Sequence, residues 1–362
     1  MRLVTYNKKE LQEFIESDFF REMERIPISK HRAISHINNP FCSDDDILLW
    51  TAFDNNDLIG YVGVLPDIIE QEGKKEKIYW LSCFWVDETQ RLKNVASVLF
   101  FPLIKLYGKQ LFISNFLFSL EKTYQKLGIF QATQNNYGYD FYRNFDFAEK
   151  IKSRYPKLKF LMPFYVFFEK LFNSILTGFR KLFYRPLTVK EKVVENCEFD
   201  TELNDFLSAF SQTDNQIVRD TSYFNWVVNY PWILQGKENK DSKRYHFSSI
   251  SQHFEYRSIK IYSSEKIVGF ILLRIRNKHL TISFLYLQND NYEDAANYIL
   301  NIACMENLNV ITTFDDRLSK SLTDKKRRFI YRKRATKKYI FPKNNPIESS
   351  VFQEGDGDSV FT

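Results

Sequence analysis

Apolar positions switch between helical and strand spacing along the first 150 residues. Leu11, Phe14, Ile15 and Phe19 fall three and four apart, which predicts a helix over Lys8–Glu24. Ile47–Phe53 and Leu58–Leu65 flank the polar stretch Asp54-Asn55-Asn56-Asp57, the pattern of a hairpin. Ile78–Val86 predicts a third, aromatic-rich strand. Val95–Tyr107 reads as a helix, Leu111–Phe118 as a strand, and Leu120–Leu127 as a helix closed by Gly128.

Residues 151–187 keep a helical period but turn greasier. Phe160, Phe164, Phe168, Leu171, Phe172, Ile175, Phe179 and Phe183 recur at three and four, while Lys170, Asn173, Arg180 and Lys181 fall off that stripe. This predicts an amphipathic helical connector bounded by Pro163 and Pro186. Its stripe either packs against the domains on both sides or lies on a membrane surface, a use that suits Phe on one face and Lys on the other.

The second half repeats the pattern of the first. The segment from Thr51 to Val62 aligns without gaps on Lys260 to Ile271, at an offset of 209 residues, with Gly60 on Gly269. A strand, a helix and a strand follow in each copy: Ile78–Val86, Val95–Tyr107 and Leu111–Phe118 in one, Leu280–Leu287, Tyr292–Asn307 and Asn309–Phe314 in the other. The expected organisation is α+β, in two copies of one unit. Domain 1 covers 1–150, the connector 151–187, domain 2 188–342, and a flexible or pocket-inserting tail 343–362.

Composition narrows the classes. The chain has 362 residues, 44% of them hydrophobic and 17% aromatic, ample for two cores and too apolar for a disordered chain. No run approaches the roughly 20 apolar residues of a spanning helix, and the charged N-terminus carries no signal-peptide pattern. Four scattered cysteines (Cys42, Cys83, Cys197, Cys304) show no metal or disulfide spacing, and the five histidines show no metal motif. A reducing cytoplasm is the expected location, with no metal. The net charge is +6, yet nine basic residues and no acid lie between Lys325 and Lys338, so the rest of the chain sums to −3. That run reads as a solvated strand face or as a site for anionic partners such as lipid phosphate. It has no accompanying nucleic-acid motif, and no nucleic acid is expected.

The order hairpin, strand, helix, strand, helix resembles the GNAT superfamily of acyltransferases, and two segments carry the resemblance. Val86-Asp-Glu-Thr-Gln-Arg91-Leu-Lys93-Asn94-Val95-Ala96 resembles the superfamily's acyl-CoA signature, with Asn94 where the first glycine belongs. A pyrophosphate is held by backbone N–H groups at a helix N-terminus. Asparagine is the next most permissive residue after glycine for the left-handed backbone such loops use. Arg91 and Lys93 add positive charge there. Tyr124-Gln-Lys-Leu-Gly128-Ile-Phe is similar to a late Tyr-x-Lys-Leu-Gly-Phe segment with Ile129 inserted. The resemblance implies an acyltransferase using acetyl-CoA or another acyl-CoA, in which Tyr124 protonates the leaving thiolate. Tyr124 as a packing residue is the plainer reading. Val86, Arg91, Lys93, Asn94, Val95, Ala96 and Asn115 are the expected contacts to the cosubstrate. Pro102 predicts a kink in the helix that follows. No general base is visible, since Ile78–Val86 holds no carboxylate.

The second copy carries Asp290, Glu293 and Asp294 where the phosphate loop belongs, so it is expected not to bind CoA. Arg219-Asp220 with Trp226 and Pro231 resembles a segment of bacterial GNAT-like proteins, or is simply a helix start with a Trp anchor. The expected acceptor is an amine or amino sugar, such as a cell-envelope precursor. A non-catalytic binding module and a peripheral membrane protein, using 160–183 and 325–338, are the alternatives.

Overall fold

The computed structural model describes all residues except 72, 115, 117–120, 147–150, 152–159, 183–184, 211–215, 289–290, 344–346 and 348–351. The chain forms two compact units that are not contiguous in sequence. One gathers Met1–Asn136, Glu198–Phe254 and Thr336–Thr362, the other Tyr137–Cys197 and Glu255–Ala335. The contiguous boundaries at 150, 187 and 342 are therefore replaced by an exchange of segments.

In the first unit, β1 (Arg2–Tyr6), β2 (Leu49–Asp54), β3 (Asp57–Gln71) and β4 (Lys74–Val86) form an antiparallel run. β5 (Leu111–Ser114) then joins β4 in parallel. The predicted hairpin is β2–β3, turning at Asn55 in left-handed conformation. The predicted first helix is two. α1 (Lys8–Glu16) opens with a capping box between Asn7 and Glu10, and Ser17 breaks it by capping α2 (Asp18–Glu22). α3 (Lys30–Ile37) follows, and α4 (Val95–Tyr107) runs through Pro102 without interruption.

Two apolar clusters sandwich this sheet. Leu11, Phe14, Ile15, Phe20 and Ala33 pack on Leu49, Phe53 and Tyr61, while Val95, Leu99, Phe100 and Leu103 pack on Val62, Val64, Tyr79 and Leu81. The alternation along β3 and β4 assigns neighbours to opposite faces. Gly60 is needed where β3 meets α4: a Cβ there would lie 2.9 Å from Val95 Cγ1.

The second unit has the same order of elements. Phe254–Ser263, Lys266–Arg276 and His279–Leu287 are successive strands, followed by the helix Tyr292–Met305, the strand Val310–Thr313 in parallel with His279–Thr281, and the helix Asp316–Asp324. Its core joins Ile271, Leu273, Ile299, Leu300 and Ile311. Tyr139–Tyr142 pair with Val310–Thr313 in this unit, whereas Tyr339 and Ile340 pair with Ser114 and Ile113 in the first. Each unit's last strand thus comes from the other half of the chain, which is why reading boundaries along the sequence misplaces them.

Candidate active site

The β4–β5 ladder ends at Leu81–Ile113, while β4 runs on to Val86. Beyond that point β4 is irregular. Gly63 pairs with Ser82 and Tyr61 with Trp85, so Cys83 and Phe84 face the single residue Val62. This is a β-bulge, and Cys83 holds φ at +50°, uncommon for a residue with a side chain. A bulge leaves its extra residue out of the ladder and re-aims the strand, a device frequent beside active sites.

A polar chain crosses the end of the ladder. Ser82 Oγ donates to Asp358 Oδ2 at 2.6 Å, and Ser114 Oγ reaches Asp358 Oδ1 at 3.4 Å. Arg32 donates to Ser82 Oγ at 2.7 Å, to Tyr245 Oη at 2.8 Å and to Cys83 Sγ. Its guanidinium lies 3.8 Å from the Trp232 ring centroid. Burial opposes the Arg32 charge, but Cys83, Tyr245 and Asp358 outweigh it and hold the group above the usual arginine range. His36 stacks on Trp232 at 5.0 Å, and burial, with Arg32 adding to it, pushes its imidazole well below the ordinary value. Arg32 thus reaches Asp358 through Ser82, and the His36 ring lies beside the guanidinium at 3.4 Å.

That carboxylate comes from the segment expected as a tail. Phe352, Val360 and Phe361 are buried, so the segment is packed rather than free. Arg219 clamps it, donating to both oxygens of Asp67 at 2.8 and 2.9 Å and to Asp356 at 2.8 Å. Trp80 Nε1 also donates to Asp67. Phe361 stacks on Trp232 at 4.3 Å. Gly357, at φ +76°, turns against β4 and β5; a Cβ there would sit 3.1 Å from Trp80 and 3.3 Å from Ser114 Oγ. Asp356 is fully buried, and burial raises its carboxyl above the usual value despite Arg219. Asp358 is half-buried, the one acid of Glu354, Asp356 and Asp358 that is not fully enclosed.

The predicted loop lies at the head of α4. Asp87 caps a short 3₁₀ helix over Glu88–Lys93, and Asn94 follows at φ +53°, ψ +29°. The left-handed conformation that would favour glycine is thus adopted by the asparagine that replaces it. Val95 is buried beneath the loop, while Asn94 and Ala96 are exposed and Val86 is half-buried. The side chains of Arg91 and Lys93, and all of Asn115, lie outside the described residues.

Tyr124 sits within the aromatic cluster of Phe100, Phe116 and Phe130, with centroids 5.5, 5.7 and 6.3 Å away. Burial pushes its phenol up to about 12, so it stays protonated at neutral pH. It packs the face that carries α4.

Asp220 caps the helix Thr221–Asn229, and Trp226 and Trp232 donate to the backbone and hydroxyl oxygens of Ser35 at 2.7 and 2.9 Å. The Arg219 segment is therefore an anchor for α3 and for the terminal segment. Sequence reasoning missed Arg32, Ser82 with Ser114, and Asp358 as a group. Only spatial proximity joins them.

In the second unit, Asp294 accepts from the backbone N–H groups of Lys190 and Glu191 at 3.3 Å, and Lys325 pairs with Glu293 at 3.4 Å. Among the described residues no group of three or more His, Cys, Asp or Glu is arranged to hold a metal ion.

No protein-family model matches the chain. A Lon protease of Ureaplasma parvum serovar 3 is 32% identical over 97 residues, which is 26% of this chain and 10% of that protein. The chain thus matches about a tenth of the length of this curated relative. A conserved protein of unknown function from Enterococcus faecalis V583, titled a probable N-acyltransferase, superimposes with a TM-score of 0.53 at 12% identity, over 94% of this chain and 72% of that one. Saccharomyces cerevisiae N-myristoyltransferase with bound myristoyl-CoA gives 0.48 at 12% identity, over 94% and 82%. A GCN5-related N-acetyltransferase from Kribbella flavida gives 0.47 at 10%, over 94% and 71%. The chain shares its α+β fold with the Enterococcus faecalis protein.

Proposed function

We propose that the chain is a CoA-dependent N-acyltransferase whose working site lies in the first unit, within a tandem pair of GNAT-like units. One observation carries this reading. Asn94 takes the left-handed conformation at the head of a 13-residue helix that one 3₁₀ turn separates from the bulged strand β4. This supplies close backbone approach and helix N–H groups, the two things a pyrophosphate needs.

In this reading Val86, Asn94, Val95 and Ala96 contact the cosubstrate through the backbone, Arg91 and Lys93 add charge, and Asn115 contacts its pantetheine arm. Asp358 is the general base that the strand itself lacks. It accepts the proton of the acceptor amine as the nitrogen attacks the thioester carbonyl. The C–N bond forms, the C–S bond breaks, and the thiolate takes a proton from the Tyr124 hydroxyl. Arg32, through Ser82, holds Asp358 in place. The acyl group is acetyl in the simplest version. The acceptor is an amine or amino sugar such as an envelope precursor.

Isothermal titration of acetyl-CoA and a long-chain acyl-CoA into the full chain and its Arg91→Glu variant tests this. Binding by the parent that the variant loses supports a site at 86–96. Absence of binding by both proteins to both ligands overturns it.

A further inference from the structure

The helix Met162–Leu182 belongs to the second unit and is about 32 Å long at 1.5 Å per residue. Its amphipathicity is inverted. Phe164, Phe167 and Phe179 are 60%, 61% and 62% exposed, and Leu182 is 78% exposed. Leu171, Phe172 and Ile175 are exposed beside them, and Phe160 precedes them. At 100° per residue these positions fall within an arc of about 140°.

The opposite side faces protein, and it does so with polar groups. Asn173 exchanges two hydrogen bonds of 2.8 Å with the backbone of Phe145. Thr177 bonds Asn307 at 3.2 Å, and Arg180 bonds Asn144 at 2.8 Å. An ordinary surface helix buries its apolar stripe and shows its polar face to water. Here the polar face is spent on the protein, and the stripe, expected either to pack between domains or to lie on a membrane surface, is exposed. Exposed contiguous apolar surface of this size marks an interaction site.

Charge identifies the occupant. Arg328 donates to the carbonyl of Arg185 at 3.0 Å, which ties the basic 3₁₀ turn Lys326–Arg328 just past the helix. Lys326, Arg327, Arg332, Lys333 and Arg334 are exposed in this same unit, as are Arg185 and Lys190, and Lys170 is exposed on the helix itself. Among the described residues no helix is long and apolar enough to cross a membrane. We infer that this unit docks on an anionic phospholipid bilayer, the helix lying in the plane of the interface with its Phe-rich stripe among the acyl chains and the basic turn against the headgroups.

The test is co-sedimentation of the full chain with vesicles of phosphatidylcholine and phosphatidylglycerol, and of phosphatidylcholine alone. The doubly substituted Phe164→Asp/Phe179→Asp chain and the doubly substituted Lys326→Glu/Arg327→Glu chain are run beside it. Both pairs are exposed, so thermal unfolding should match the parent and confirm that the variants fold. The proposal expects binding to the anionic vesicles that weakens with salt. The aromatic pair should lose at least tenfold in partitioning, and the charge pair about tenfold. Failure of the parent to bind either vesicle overturns the proposal. So does vesicle binding that the folded aromatic variant retains. A dimer in sedimentation equilibrium that the aromatic variant abolishes, with no vesicle binding, assigns the stripe to a second copy instead.

Discussion

The two units share an order of elements and differ at the point where a parallel ladder ends. In the first, β4 bulges at Cys83 with φ at +50°, and the neighbouring Ser82 links Arg32 to Asp358. In the second, the strand His279–Leu287 also carries an extra residue, Ser283, between Ile282 and Phe284. Its φ is not positive, and its buried hydroxyl has no hydrogen-bond partner among the described residues. The following helix is N-capped by Asn94 at φ +53° in one unit and by Asn291 at φ −93° in the other, whose first turn also holds Glu293 and Asp294. The shared fold supplies a fork and a helix N-terminus to both. The first adds Arg32, Asp358 and the left-handed Asn94 to them, so the fold alone does not make the site.

The largest effect should come from removing what holds the terminal segment in the first unit. Arg219 is 2% exposed and faces two buried carboxylates. Arg219→Ala leaves Asp67 and Asp356 buried without it, and should cost about 3–5 kcal/mol. A urea midpoint that barely moves would show that the triad does not anchor the segment. Next is Asp358→Asn, which keeps the shape and removes the proposed base. Turnover should fall on the order of a hundredfold with acyl-CoA binding unchanged. Unchanged turnover would remove Asp358 from the mechanism and make the two forks chemically alike.

Much of the fold was legible because it follows local rules. The helix Val95–Tyr107 is found at its predicted bounds, and the third strand at 78–86 lies within β4. Asn94 was readable too, since backbone permissiveness is a property of one residue. The carboxylate was not. Asp358 lies 276 positions from Ser82, and nothing in a Gly-Asp-Gly-Asp run says that Gly357 will turn it against Trp80. The domain boundaries failed for a related reason. The ladder that claims Tyr339 and Ile340 pairs them with Ser114 and Ile113, far upstream, and periodicity carries no record of partner choice.

A smaller effect is expected from pH. Burial lowers the His36 imidazole well below its ordinary value, so the folded chain binds fewer protons there than the unfolded chain. Its neutral form is fully accommodated above the unfolded value of about 6.5, and stability falls as pH drops through that value. His36→Phe should flatten the acid limb of a urea-midpoint against pH profile. A profile that keeps its slope would place the acid sensitivity elsewhere.

The smallest effect is expected at the second bulge. Ser82 and Ser283 are both buried serines at bulges, 1% and 0% exposed. Ser82→Ala would take one partner from Asp358 and one from Arg32, and loss of a partner to charged groups costs about 1–3 kcal/mol. Ser283→Ala removes a hydroxyl that already lacks a partner, so its desolvation is relieved while the packing volume hardly changes. Stability should stay level or rise by up to about 1 kcal/mol, with turnover unaffected. A destabilisation of Ser283→Ala equal to that of Ser82→Ala, read from paired urea curves, would mean that the second bulge holds a polar partner of its own. The contrast between the two bulged serines would then fail.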